Sequence, residues 1–310
     1  MRKAICLAVA ISGGCALGAA EKITVPLIPE DASPVRELRI SENAYAAVRI
    51  PPGEGPFPAV IFLHGGLGHS KMENLRRQSL TGQAQARFLA WGYVTVNATR
   101  RDIHHDPQDR GVVEDTVAIV EAVKKLPEVD PESVALYGGS GGGTLALEVA
   151  AETDVAAVVA GEPASIIFMG MFTKDDVLRG DETQPVAEQR RRRFANAPLE
   201  ELYTPALRER TRRKLEKIQC PVLILHGDQH WLKRFNLELL VPEMKALGKQ
   251  VEVRTFPGAK HSFYWGRNTE PATALKAHRE ADAFLRKHLK TQPKPVAAVH
   301  VRQAPVGSDR

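Results

Sequence analysis

Between Val134 and Thr144 the chain carries the stretch that most limits what it can become. The apolar run Val134-Ala135-Leu136-Tyr137 breaks into glycines around one serine, Gly138-Gly139-Ser140-Gly141-Gly142. It then resumes with helical spacing through Leu145, Leu147, Val149 and Ala150. Such a run reads as a buried strand, a sharp turn and a helix, and it fits the pattern Gly-x-Ser-x-Gly. The glycines have a physical reason: where a strand and a helix pack closely around a strained residue, neighbours without a Cβ are the ones that fit. The turn lifts the Ser140 Oγ above the sheet edge. It also sets the Gly141 N–H at a helix N-terminus, where developing negative charge is stabilised. A plain glycine turn and a phosphate cradle are the competing readings. No lysine follows at Walker spacing and Gly-x-Gly-x-x-Gly is absent, which disfavours the phosphate.

The remainder of the chain supplies the context. Its 310 residues, 43% hydrophobic and 25% charged, can bury one core, and the length permits one large α/β domain or two small ones. Met1-Arg2-Lys3, an apolar run from Ala4 to Ala19, and small residues at Gly18, Ala19 and Ala20 predict a signal peptide over 1–20. Export to the periplasm or medium is the corresponding expectation. The run is too short and glycine-rich for a membrane span, and Cys15 lacks the upstream Leu of a lipoprotein site. Cleavage would leave Cys220 alone, so no internal disulfide is expected; its place before Pro221 and an apolar strand reads as packing. The net charge of +5 is concentrated in Arg190 to Arg193 and in the Arg208 to Lys217 segment, where acids are interleaved. That reads as a solvated helical face, with steering of an anionic substrate as the lesser option. No aromatic interleaving accompanies it, and nucleic acid is not an expected partner.

In chain order, Glu37 to Ile50 alternates as strand, and Ala59 to Leu63 is a strand ending in His64-Gly65-Gly66-Leu67-Gly68. Glycine there permits backbone N–H groups to face an oxyanion, with His64 supporting the loop. Gln83 to Ala90 reads as helix, Tyr93 to Asn97 as strand, and Val112 to Leu126 as an amphipathic helix. Asp102, His104, His105 and Asp106 fit no specific zinc spacing, so substrate contact or loop hydrogen bonding is preferred to a metal. Val155 to Ala160 is a strand ending at Gly161-Glu162-Pro163. From Ile166 to Ile218 the pattern turns mixed and highly charged, which reads as a helical cap over the active edge. Its Phe168 to Phe172 cluster reads as packing before acyl pocket. Val222 to Leu225 ends in His226-Gly227-Asp228-Gln229-His230, and Val251 to Phe256 ends in Pro257-Gly258-Ala259-Lys260-His261-Ser262-Phe263. Ala272 to Leu289 is a final amphipathic helix, and the proline-bearing tail 291–310 reads as disordered.

Strands and helices alternate throughout, which predicts an α/β fold: a mainly parallel sheet with helices on both faces, formed by one domain over 21–290 with its cap at 166–218. Ser140, Asp228 and His261 each follow a strand and occur in the order nucleophile, acid, base.

In these stretches, over roughly residues 37 to 290, the chain resembles the α/β-hydrolase superfamily, near its dienelactone hydrolase and prolyl oligopeptidase-like branch. The resemblance implies Ser140 as nucleophile, His261 as base, and Gly66 and Gly141 as oxyanion donors. It implies no cofactor and no metal, and a small-molecule ester or short peptide as substrate. One position departs. Relatives usually continue the strand as His-Gly-x-x-Asp, and here His230 stands where that Asp would be. Histidine offers no carboxylate to orient an imidazole. Asp228, through a shifted loop, is the expected acid, with Glu162 the alternative. Carboxylic-ester hydrolysis is the expected activity. Peptide or amide cleavage in the same site, and a non-catalytic binding protein with an incomplete triad, are the other readings.

Overall fold

The computed structural model describes residues 24–178 and 194–302. The expected leader at 1–20, the four arginines from Arg190 to Arg193 and the last eight residues lie outside the described residues. The strands are β1 (Thr24–Leu27), β2 (Arg36–Arg39), β3 (Tyr45–Arg49), β4 (Phe57–Leu63), β5 (Val94–Ala98), β6 (Val129–Gly139), β7 (Ala157–Gly161), β8 (Val222–Gly227), β9 (Val251–Phe256) and β10 (Val299–Arg302). Eight of them form one sheet in the order β2-β3-β5-β4-β6-β7-β8-β9. The pairs β2–β3 and β3–β5 are antiparallel, and every pairing from β5 to β9 is parallel. This is the mainly parallel sheet that the alternation of elements predicts, in the α/β-hydrolase arrangement that the resemblance implies.

Burial follows the two-residue period of a strand. Along β4, Ala59, Ile61 and Leu63 feed one core while Val60 and Phe62 feed the other. Val134 and Leu136 of β6 alternate in the same way with Ala135 and Tyr137. Both faces of these strands are covered, which is why they read as continuous apolar runs rather than as polar–apolar alternation.

The helices α1 (Met72–Thr81), α2 (Gln83–Ala90), α3 (Gly111–Lys124) and α4 (Gly141–Ala150) pack around the sheet. Ile119 and Val120 of α3 and Leu145 and Val149 of α4 close one core. On the other face, Phe88 of α2 joins Ala277, Ala281 and Phe284 of the C-terminal helix Pro271–His288.

Between β7 and β8 lie short helices at Ser165–Phe168, Lys174–Leu178 and Leu199–Leu202, and a longer one at Pro205–Lys217. Thr204 caps the last of these by accepting from the Leu207 N–H, with Pro205 at its first turn, a sequence-legible start. These helices occupy the segment read as a cap. Phe168 and Met169 are fully buried, as the packing reading expects.

The tail departs from its expectation of disorder. Residues 291–302 are placed against the body: the Val296 N–H donates to the Ala90 carbonyl, and Thr291 Oγ1 donates to Asp130. β10 pairs antiparallel with β1. Val296 and Ala298 pack on Ile28, Leu89 and Ala90. Backbone pairing of this kind needs no apolar periodicity, so the proline-rich composition concealed it. Among the described residues no helix is long and apolar enough to cross a membrane. Cys220 is a half-buried free thiol, and burial pushes its pKa up to about 12, in keeping with a packing role.

Candidate active site

At the join of β6 and α4, Ser140 adopts φ 54° and ψ −120°, a region that non-glycine residues rarely enter. The strain is held from several sides. The Ser140 N–H donates to the Gly161 carbonyl at 2.8 Å, and the Ser140 carbonyl accepts from Gly143, Thr144 and Ala164. Close packing explains the flanking glycine at 142. A Cβ there would run into the Leu63 carbonyl and lie 2.6 Å from the His64 carbonyl oxygen. Gly141 opens α4, where first-turn N–H groups have no intrahelical acceptor.

The loop after β4 converges on this turn. Gly66 has φ 80°, and a Cβ on Gly141 would strike the Gly66 carbonyl oxygen. Arg100, 2% exposed, reaches back from the end of β5 and donates to the carbonyls of Gly65 at 3.4 Å and Gly68 at 3.3 Å. Burial lowers its pKa to about 10, which leaves it cationic at neutral pH. His64 donates from Nδ1 to the Gly65 carbonyl at 2.9 Å, the loop support expected of it. Its burial, and then the nearby Arg100 charge, lower its pKa to about 4. Further along, Asp102 accepts from the His104 N–H and Asp106 from the Gln108 N–H, so both carboxylates serve the loop itself.

The acid is where the structure corrects the expectation. Asp228 does not pair with His261. Its Oδ1 accepts from the Gly258 N–H at 2.8 Å and from the Gln229 side chain at 3.0 Å, tying together the loops after β8 and β9. Those donors, Gln229 foremost, hold its carboxyl below the usual range. Glu162, the alternative, is the carboxylate that meets His261. It stands just past β7 with φ 42° and is fully buried. Its Oε2 accepts from His261 Nδ1 at 2.6 Å, and its Oε1 accepts from the Gly227 N–H at 3.1 Å. The Ser262 N–H adds a longer contact at 3.4 Å. A carboxylate can only accept, so His261 carries its proton on Nδ1 and Nε2 is left with a lone pair. A buried carboxylate needs hydrogen-bond donors in place of water, and Glu162 has them in His261, Gly227 and Ser262.

His230, the residue that displaces the expected Asp, lies face to face with His261, ring centroids 4.0 Å apart and planes 18° from parallel. Ligand atoms of Glu162, His230 and His261 fall within 4.8 Å of one another, the reach of a single cation. Near-parallel rings aim their lone pairs side by side rather than at one point, so the arrangement fits ring stacking better than metal ligation.

The loop bearing His261 is fixed by residues that no sequence motif marks. His278 Nε2 donates to the Tyr264 carbonyl at 2.9 Å, which leaves its Nδ1 to accept from Arg87 at 3.2 Å. Burial, with Arg87 beside it, drives the His278 pKa down to about 3, consistent with a neutral ring. Gln83 accepts from Arg87 and donates to the Gly266 carbonyl. Tyr137 of the elbow strand donates to the same Tyr264 carbonyl at 3.0 Å. Phe62, Tyr137 and Trp265 form an aromatic triangle with centroids 5.2 to 6.1 Å apart, each pair contributing about 0.5–1.5 kcal/mol beyond burial. The only hint in the sequence is that His278 and Arg87 fall on the apolar faces of their helices.

Ser140 and His261 line one cavity of about 510 Å³. Ser140, Gly66 and Gly141 line a second, of about 310 Å³. A serine on a strained strand-to-helix turn, an imidazole oriented by a buried carboxylate and a converging glycine loop define the α/β-hydrolase class of site. Residues 100–292, more than half of the chain, match the prolyl oligopeptidase family, and the chain belongs to that family. It is 25% identical over 255 residues to the uncharacterized peptidase YuxL of Bacillus subtilis, covering 76% of this chain and 35% of that protein. It is 34% identical over 188 residues to the 2,6-dihydropseudooxynicotine hydrolase of Paenarthrobacter nicotinovorans, covering 58% of this chain and 46% of that one. With the human acyl-coenzyme A thioesterase 6 it shares 29% identity over 299 residues, 84% of this chain and 65% of the relative. The chain thus spans between about a third and two thirds of the length of these relatives. In fold it is similar to the esterase 2 of Thermogutta terrifontis, with a TM-score of 0.58 at 20% identity over 85% of this chain and 98% of that one.

Proposed function

We propose that this chain is a serine hydrolase that cleaves carboxylic esters or thioesters through an acyl-enzyme on Ser140. The observation that carries the reading is the 2.6 Å bond from His261 Nδ1 to the buried Glu162, with Ser140 and His261 on one cavity. Glu162 fixes the tautomer and favours the imidazolium that forms during reaction. The free Nε2 lone pair takes the Ser140 Oγ proton as Oγ attacks the carbonyl carbon. The N–H groups of Gly141 and Gly66 receive the charge that develops on the carbonyl oxygen. Nε2–H then protonates the departing alcohol or thiol, and water, activated by the same ring, releases the acid.

The esterase and thioesterase names among its relatives and fold neighbours favour acyl transfer from oxygen or sulfur. Peptide cleavage is the second reading, favoured by the likeness to YuxL and by the family match. The non-catalytic reading rests on a missing acid, and the bond from His261 to Glu162 weighs against it. A panel of p-nitrophenyl esters, a thioester and short peptide anilides tests the proposal. Turnover of the esters or thioester that is lost in Ser140→Ala supports it. Turnover of anilides alone transfers the function to the peptidase reading, and no turnover of any of them by folded protein rejects both.

A further inference from the structure

The two cavities that meet at Ser140 are chemically unlike. The smaller is walled by Ile166, Ile167, Phe172, Phe194 and Trp231, and among the described residues its lining holds no charged side chain. The larger holds Arg77, Arg267, Gln78 and Gln83, and no Asp or Glu lines it among the described residues. Gly66 and Ser140 belong to both cavities. Gly141 belongs to the apolar one, and His261 to the polar one.

That division orients the substrate. In the second half of acylation the bond between the acyl carbon and the leaving heteroatom breaks while the Ser140 Oγ–acyl bond stays. The proton on His261 Nε2 passes to the leaving atom, which departs as a neutral alcohol or thiol. The leaving atom must lie within hydrogen-bond reach of His261 while its carbonyl carbon is on Ser140, so the group attached to it extends into the cavity that His261 and Ser140 line together. The acyl part takes the other side, where Gly141 and the apolar wall are.

We propose that the substrate is an ester or thioester with a short, uncharged aliphatic acyl group and a leaving group that carries an anionic substituent. The acyl group fills the Phe172–Phe194–Trp231 cavity, and the anion is met by Arg77 and Arg267. The inference rests on Ser140 as nucleophile and His261 as base. At about 310 Å³ the acyl side is at the small end of ligand cavities, which span roughly 300–1,000 Å³, so it suits short chains. Both arginines are exposed at the mouth of the larger cavity. Their effect therefore weakens with salt.

Three butyryl esters differing only in the leaving group form the test: 3-hydroxybenzoate (anionic), its methyl ester (neutral) and 3-hydroxyphenyltrimethylammonium (cationic). At low salt kcat/KM should favour the anionic ester over the cationic one by about tenfold, a preference that shrinks in 0.5 M NaCl. In the double variant Arg77→Gln/Arg267→Gln the anionic-to-neutral ratio should fall toward one. With the leaving group fixed, kcat/KM should rise by about fourfold per methylene from acetyl to butyryl, and Phe172→Ala should shift the optimum to longer chains. Equal rates across the three esters, or a charge preference that survives the double variant, would overturn the proposal. So would a double variant that alters the ratio of succinyl to butyryl esters instead, because the substrate would then lie in the opposite direction. A fluorophosphonate adduct on Ser140 separates these failures from failure of the hydrolase reading: an adduct with no charge preference rejects only the orientation and substrate class.

Discussion

Replacing Glu162 by Gln is nearly isosteric, and the structure says how it should fail. Glu162 spends one oxygen on the Gly227 N–H and the other on His261 Nδ1–H, with the Ser262 N–H beside the second. A glutamine has one acceptor and one donor group for these two positions. If its oxygen stays on Gly227, its NH2 faces His261 Nδ1, which must then accept. The imidazole proton moves to Nε2, and the ring no longer takes the Ser140 proton. If the amide flips, its NH2 meets the Gly227 N–H in a fully buried position, and that unsatisfied pair costs about 1–3 kcal/mol. Either way the productive tautomer is disfavoured and the imidazolium loses its counter-charge. The expected fall in kcat/KM on p-nitrophenyl butyrate is about 10³- to 10⁴-fold, the scale seen when a triad carboxylate becomes an amide. That corresponds to about 4–5.5 kcal/mol of transition-state stabilisation. Asp228→Asn removes no contact to His261 and should stay within about threefold of wild type, because surface substitutions of this kind shift energies by only about 0.5 kcal/mol. Circular dichroism melts of both variants control for folding. A Glu162→Gln enzyme within tenfold of wild type, or a larger loss in Asp228→Asn, refutes the assignment.

Gly142→Ala drives a Cβ into backbone of the β4 end on two sides and should destabilise by about 3 kcal/mol, at the upper end of overpacking costs. At about 2–4 °C per kcal/mol, Tm should fall by roughly 6–12 °C, and an unchanged melt would show that the elbow is looser than described. Stability should also decline in mild acid. His278 is held near pKa 3 in the folded state against 6.5 for an exposed ring, and His64 near 4, so the unfolded chain binds more protons below pH 6.5. Stability therefore rises with pH, and it is lost as pH falls through 6.5 toward 4 and 3. At pH 5 His278 alone should cost about 2 kcal/mol relative to pH 8, with His64 adding up to as much again. Urea midpoints across that range measure the loss, and a flat profile would contradict the buried neutral rings.

The succession of strands along the chain, the strand-to-helix turn at Ser140 and the strand-end place of His261 were legible because each rests on a local pattern: an apolar run, then a turn of required chemistry. The acid was not. A strand-end motif records which residues stand in a loop, not which way the loop carries them. Asp228 and Glu162 both follow strands, and only the folded backbone turns Glu162, at φ 42°, inward while Asp228 caps the neighbouring loop. The supports of the base loop were hidden for a related reason. His278 sits in a helix read as amphipathic and Arg87 in a segment read as helix, but His278 ends on the backbone carbonyl of Tyr264, with Arg87 behind it, and a backbone partner leaves no trace in residue type. The same holds for the tail after Thr291, which docks largely through main-chain bonds to Ala90 and β1.

Intact-mass labelling with a fluorophosphonate reads out an activated serine at position 140. Folded wild-type protein should gain one adduct, mapped to Ser140 by peptide analysis. Ser140→Ala should gain none, and Glu162→Gln should label far more slowly. An adduct that persists in Ser140→Ala, or no adduct on folded wild-type protein, would contradict the account.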